Sequence, residues 1–96
     1  MAVASLRRIA GLCDLETGMV IGVGRRMFIV TEKSRDSAVV CPLYPAGTFG
    51  ASRSYTGRML SEQDIAQNQR WVIEDKRFFL NCEYVDSEGS IRMVGE

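Results

Sequence analysis

Apolar residues in this chain fall into short runs separated by small polar clusters, a pattern of strands and turns. Residues 19–23 (Met-Val-Ile-Gly-Val) and 27–31 (Met-Phe-Ile-Val-Thr) read as two β-strands. Gly24-Arg25 lies between them, and a glycine at the first central position suits a two-residue type II′ hairpin. Polar residues 33–37 form a turn, and 38–43 a third strand. Pro42 cannot donate to a ladder, so it belongs near a strand end or an edge. Residues 44–58, with Pro45, Gly47, Gly50 and Gly57, read as a loop, long enough to suggest function. Ser61 and Asp64 have the spacing of a helix start, which predicts a short helix over 61–68 with Ile65 packed inward. Trp71 opens a strand and Asp75-Lys76 a turn. The strongest strand is predicted over 77–85, where Phe78, Leu80, Cys82 and Tyr84 alternate with Phe79, Asn81, Glu83 and Val85. A turn at 86–89 and a strand over 91–94 close the chain. Residues 5–12 read as a short helix or irregular lead-in, with Ser5 as cap and Leu6, Ile9 and Ala10 on one face.

The expected fold is therefore a β-rich α+β single domain over residues 1–96. Its parts are a lead-in (1–17), a first meander (18–43), a long loop with a short helix (44–69) and a second meander (70–96). Two three-stranded meanders of this size curl into a small antiparallel barrel or pack as a sandwich of about six strands, here with one or two short helices. The expected core is Ile21, Phe28, Val30, Val40, Ile65, Trp71, Phe78 and Leu80.

Composition narrows the function classes. Apolar residues make up 46% of the 96, so a core is available, though a small one. Basic and acidic residues balance at 12 each, which argues against general nucleic-acid binding. All the basic residues except Lys33 and Lys76 are arginine, a planar fork suited to carboxylate and phosphate; coding bias produces the same enrichment. Cys13, Cys41 and Cys82 are odd in number and widely spaced. That argues against disulfides and a zinc site; Cys41 and Cys82, both in apolar runs, read as buried small hydrophobes in a reducing compartment. No run approaches the ~18 apolar residues of a membrane span, and residues 1–12 do not resemble a secretory signal. The expectation is a cytoplasmic protein without a membrane partner.

Candidate chemistry is sparse. The chain has no histidine, which removes imidazole acid–base work and the usual nucleophilic triads. No P-loop pattern occurs, and Gly22-Val-Gly24 lies in a hairpin rather than a strand-to-helix turn. Acidic residues read as solvated turns. The expectation is a non-enzymatic protein with no metal and no cofactor. One segment stands out: Arg53-Ser-Tyr-Thr-Gly-Arg58 combines two guanidinium groups with hydroxyls and a tyrosine able to stack on a base or ribose. The candidate ligand- or partner-binding residues are Arg53, Ser54, Tyr55 and Arg58, with Tyr44 and Phe49 from the same loop; an ordinary surface loop has a similar composition.

Gly57-Arg-Met-Leu-Ser61-Glu-Gln-Asp64-Ile65, followed by Trp71, resembles the closing segment of the anti-Thoeris signal sponges, a family of small phage proteins. Leu15-Glu-Thr-Gly18 with Val20, then Met27-Phe-Ile-Val30, is similar to the front of that family. The likeness covers residues 15–73. The chain departs from the family pattern at Arg58, where a tryptophan would stand, and at Arg70, which replaces the acid before Trp71. One residue must be inserted to align the two, and the chain continues past Glu74. The resemblance implies an oligomer that traps a cyclic nucleotide signal unchanged. By architecture alone, Gly18-Met-Val-Ile and Ala38-Val-Val-Cys-Pro-Leu43 are similar to SH3-like barrels, including messenger-cleaving toxins of plasmid maintenance systems.

Three functions follow as expectations. The first is a phage-borne inhibitor that counteracts a bacterial defence system by sequestering a small anionic, nucleotide-type signal. The second is an interaction module that blocks a bacterial host protein complex, such as a CRISPR effector. The third is an SH3-like RNA-processing toxin. A homodimer or higher homo-oligomer is compatible with the first two.

Overall fold

The computed structural model describes residues 6–47, 57–73 and 76–95. In chain order the elements are β1 (Leu6–Arg8), a 3-10 turn (Leu12–Asp14), β2 (Val20–Val23), β3 (Arg26–Lys33), β4 (Ala38–Pro42), β5 (Tyr44–Pro45), β6 (Arg58–Leu60), α1 (Glu62–Gln67), β7 (Trp71–Ile73), a second 3-10 turn (Lys76–Phe79), β8 (Cys82–Val85) and β9 (Ile91–Met93). Six strands form one antiparallel sheet in the order β1-β7-β2-β3-β4-β6. The others form a smaller antiparallel sheet in the order β5-β8-β9. The fold is the β-rich antiparallel architecture that the apolar runs predict, with one short α-helix.

The central strands lack a polar face because both their faces are covered. Along β3, Phe28 and Val30 point to one side and Ile29 to the other; Ile21 and Val20, Val40 and Cys41, and Val72 and Ile73 divide in the same way. On the first side, Ile9, Leu12, Leu15 and Ile65 close over the sheet. On the second side, Val94, Phe79, Cys82 and Tyr84 close over it, so the small sheet packs on the large one. Each fully buried Val, Leu, Ile or Phe contributes about 1.5–3 kcal/mol, so this double-faced centre holds the fold together.

The halves of the chain do not form two separate meanders. β7 pairs with β2 through Ile21↔Val72 and Val20↔Ile73, and β8 pairs with β5. Two adjacent buried residues, Val72 and Ile73, need cover on both faces, and only a place inside the large sheet supplies it. The lead-in is a strand rather than a helix: Leu6 to Arg8 pair with β7 in the register Leu6↔Ile73, Arg8↔Trp71. Local helical spacing is weak in so short a segment, and the outer side of β7 offers a ladder.

Ile21, Phe28, Val30, Val40 and Ile65 are buried. Trp71, Phe78 and Leu80 are not core residues: they are 38%, 62% and 48% exposed. Alternation sets Trp71 on the same face as Ile73, away from α1, which packs with Val72 on the opposite face. Phe78 sits in the 3-10 turn Lys76–Phe79, where a strand was expected over 77–85; the ladder begins only at Cys82. The turn breaks the period of two, so Phe79 packs against the second core in place of Phe78. Leu80 lies beside Gly95, where an added Cβ would come within 2.7 Å of it.

Candidate functional site

The expected loop over 44–58 begins and ends in strands. Tyr44 and Arg58 both line a groove of about 540 Å³ beside the β2–β3 turn. Phe49, Arg53, Ser54 and Tyr55 lie outside the described residues.

The groove is built from the hairpin outward. Val23 pairs with Arg26, which leaves Gly24 and Arg25 as a two-residue connection. Gly24 has φ +60°, and no non-glycine among the described residues has positive φ. A type I′ turn needs positive φ at both central residues and type II′ only at the first, so the turn is of the second kind. This geometry sets Arg25 at the turn and Arg26 at the start of β3. Phe28 lies opposite Pro42, the last residue of β4, and the Leu43 N–H donates to the Met27 carbonyl at 3.0 Å. That bond carries the chain to Tyr44, which pairs with Glu83 of the small sheet. Arg58 opens β6 opposite Val40 and so shares a face with Phe28 and Val40.

Three guanidinium groups from a turn and two strands thus border one groove with one tyrosine. Arg25, Arg26 and Arg58 are exposed. Among the described residues none of them has an ion-pair partner, and the described lining contains no carboxylate. Its remaining described walls are Met27, Phe28, Pro42 and Leu43. Such a surface can hold an anion bidentately and stack or bury a planar body beside it.

A second cavity, of about 290 Å³, adjoins the groove and shares Arg26, Phe28 and Arg58 with it. Ile21, Val40 and Leu60 give it apolar walls, and α1 with the residues after it contributes Asp64, Asn68 and Arg70. The helix starts as the sequence predicts: the Ser61 hydroxyl accepts the Asp64 N–H, and the Asp64 carboxylate accepts the Ser61 N–H at 2.8 Å. That backbone bond, then the Ser61 hydroxyl bond, holds the Asp64 carboxyl below its usual 3.8, helped by nearby Arg70 and opposed by partial burial.

A third cavity, of about 500 Å³, lies by the β8–β9 turn and is lined by Thr17, Thr31, Tyr84, Asp86, Glu88 and Arg92 among others. The Asp86 carboxylate there is already engaged by Arg92 Nε at 2.7 Å and by the N–H groups of Glu88 and Ser90 at 2.9 Å. Asp86 and Arg92 are thereby spent on each other and on the turn, which makes this cavity the lesser candidate.

The sequence pointed to Tyr44 and Arg58 and missed Arg25, Arg26 and Arg70. The available signal for Arg25 was the predicted hairpin itself, because a two-residue turn presents whatever residues form it. No group of three or more His, Cys, Asp or Glu among the described residues could hold a metal ion, and no helix among them is long and apolar enough to cross a membrane. The chain matches no protein-family model, and neither a curated protein nor a solved structure is similar to it.

Proposed function

We propose that this protein is a non-enzymatic binding protein that sequesters a small anionic ligand of nucleotide type. The carrying observation is the convergence of Arg25, Arg26 and Arg58 on one groove with Tyr44 and no described carboxylate. Guanidinium groups take the phosphates, and the tyrosine and apolar walls take a base or ribose. The described groove lining offers no thiol, imidazole or carboxylate for acid–base work, which favours holding a ligand over transforming it. The resemblance of residues 15–73 to phage signal sponges supports the same reading and suggests the biological setting, the blunting of a nucleotide-signalled bacterial defence. Native mass spectrometry of the protein recovered from cells with such a defence active tests this. A bound mass in the nucleotide range, released on denaturation, supports the reading, and a protein free of small-molecule mass under those conditions counts against it.

A second reading, a module that docks on a host protein, is favoured by the exposed side chains of Met59, Trp71, Phe78 and Leu80. The same spectra distinguish it, because a stoichiometric protein partner would then replace the nucleotide.

A further inference from the structure

Arg70 is a guanidinium taken largely out of water: the residue is only 9% exposed. Its Nη1 donates to two backbone carbonyls at the end of α1, those of Asp64 and Asn68. Both bonds use the same nitrogen. Nε and Nη2 have no hydrogen-bond partner among the described residues. No buried side-chain nitrogen or oxygen there is sealed off without a partner, so these two nitrogens reach open space. The 290 Å³ cavity is the space that Arg70 borders. Nε and Nη2 form one edge of the guanidinium plane, the edge that takes a carboxylate or phosphate bidentately. The carbonyls hold the group by its other side, so the fork is fixed before any ligand arrives.

The rest of the wall suits an anion with an apolar body. Ile21, Phe28, Val40 and Leu60 supply the apolar surface, and Arg26 and Arg58 stand with Arg70 as cations. One acid, Asp64, lies in the wall, and its Oδ2 is engaged by the Ser61 N–H at 2.8 Å and the Ser61 hydroxyl at 2.9 Å. Capping the helix end accounts for Nη1 and leaves the fork over.

We propose that this cavity is a binding site for a small carboxylate or phosphate monoester with a planar apolar body, its head on Nε and Nη2 of Arg70 and its body against Phe28 and Leu60. The site does not depend on the nucleotide reading, because it needs neither Arg25 nor Tyr44.

Titration of the full-length ¹⁵N-labelled protein with benzoate, phenyl phosphate and the neutral analogue benzamide, followed by amide NMR, tests it. Saturable shifts centred on Leu60, Asn68 and Arg70 are expected with at least one of the anions and not with benzamide, and the two anions tell carboxylate from phosphate. Arg70→Lys keeps the charge and a donor for the helix carbonyls but removes the fork, and should weaken binding about tenfold or more. Arg25→Ala, which lines only the groove, should leave it unchanged. The wild-type titration decides the matter whether or not Arg70→Lys folds. No saturable shift with either anion, equal binding of benzamide, or full affinity in a folded Arg70→Lys overturns the site. Loss of binding in Arg25→Ala instead overturns it in favour of the groove.

Discussion

The carboxylate of Glu62, at the first position of α1, accepts the backbone N–H of Leu12, 50 residues earlier in the chain. The bond ties the lid over the first core to the helix that packs beside it. Gly11 makes the approach close, since an added Cβ would stand 3.1 Å from Glu62 Oε1.

Replacing Glu62 with alanine leaves the N–H of buried Leu12 without its partner. An unsatisfied donor of this kind costs about 1–3 kcal/mol, so Glu62→Ala should lower stability by about that amount in urea denaturation. An unchanged midpoint would mean that water replaces the carboxylate.

The division between covered and open apolar residues gives a second expectation. Ile21 lies at the centre of the large sheet with its side chain in the first core. Ile21→Ala should cost about 2–5 kcal/mol. Phe78→Ser, at an exposed site, should stay within about 0.5 kcal/mol. Denaturation of the two variants side by side checks this; the reverse ranking would return Phe78 to the core.

How far the sequence could be read follows from such residues. The run through Ile21, Phe28, Val30 and Val40 was legible because strand apolarity and the Gly24-Arg25 turn are local signals. Ser61 and Asp64 were legible for the same reason. Phe78 and Leu80 misled because alternation predicts a strand only where a ladder exists, and the chain turns in 3-10 form before Cys82. Trp71 misled because its face depends on the pairing of β7 between β1 and β2, which is not written locally. The groove was half legible. Tyr44 and Arg58 stand out in a biased segment, whereas Arg26 joins them in the groove, and Arg70 lines the adjoining cavity, only through sheet order and the chain beyond α1.

Acid should loosen the β8–β9 turn. The Arg92 bond, then those of the Ser90 and Glu88 N–H groups, holds the Asp86 carboxyl below its usual 3.8. A carboxyl depressed in the folded state contributes stability that is fully present above the unfolded value and lost as pH falls through the folded one. The melting temperature should therefore fall as pH drops through and below the usual carboxyl range, and Asp86→Asn should flatten that fall while lowering stability near neutrality. An identical pH profile in Asp86→Asn would show that the acid response arises elsewhere.

Calorimetric titration with cyclic ADP-ribose isomers and cyclic dinucleotides, comparing the wild type with Arg26→Ala/Arg58→Ala, tests the binding account most directly. Both arginines are exposed, so the variant should keep its fold, since surface changes usually stay within about 0.5 kcal/mol each. The account predicts saturable binding of at least one of these anions by the wild type. It also predicts a loss of about tenfold or more in the variant, because each charge-assisted contact is worth about 1.5–3 kcal/mol. Binding that weakens as salt is raised would agree with exposed charges. Absence of heat with every ligand, or equal affinity in the folded variant, would contradict the assignment of this groove as a nucleotide-binding site.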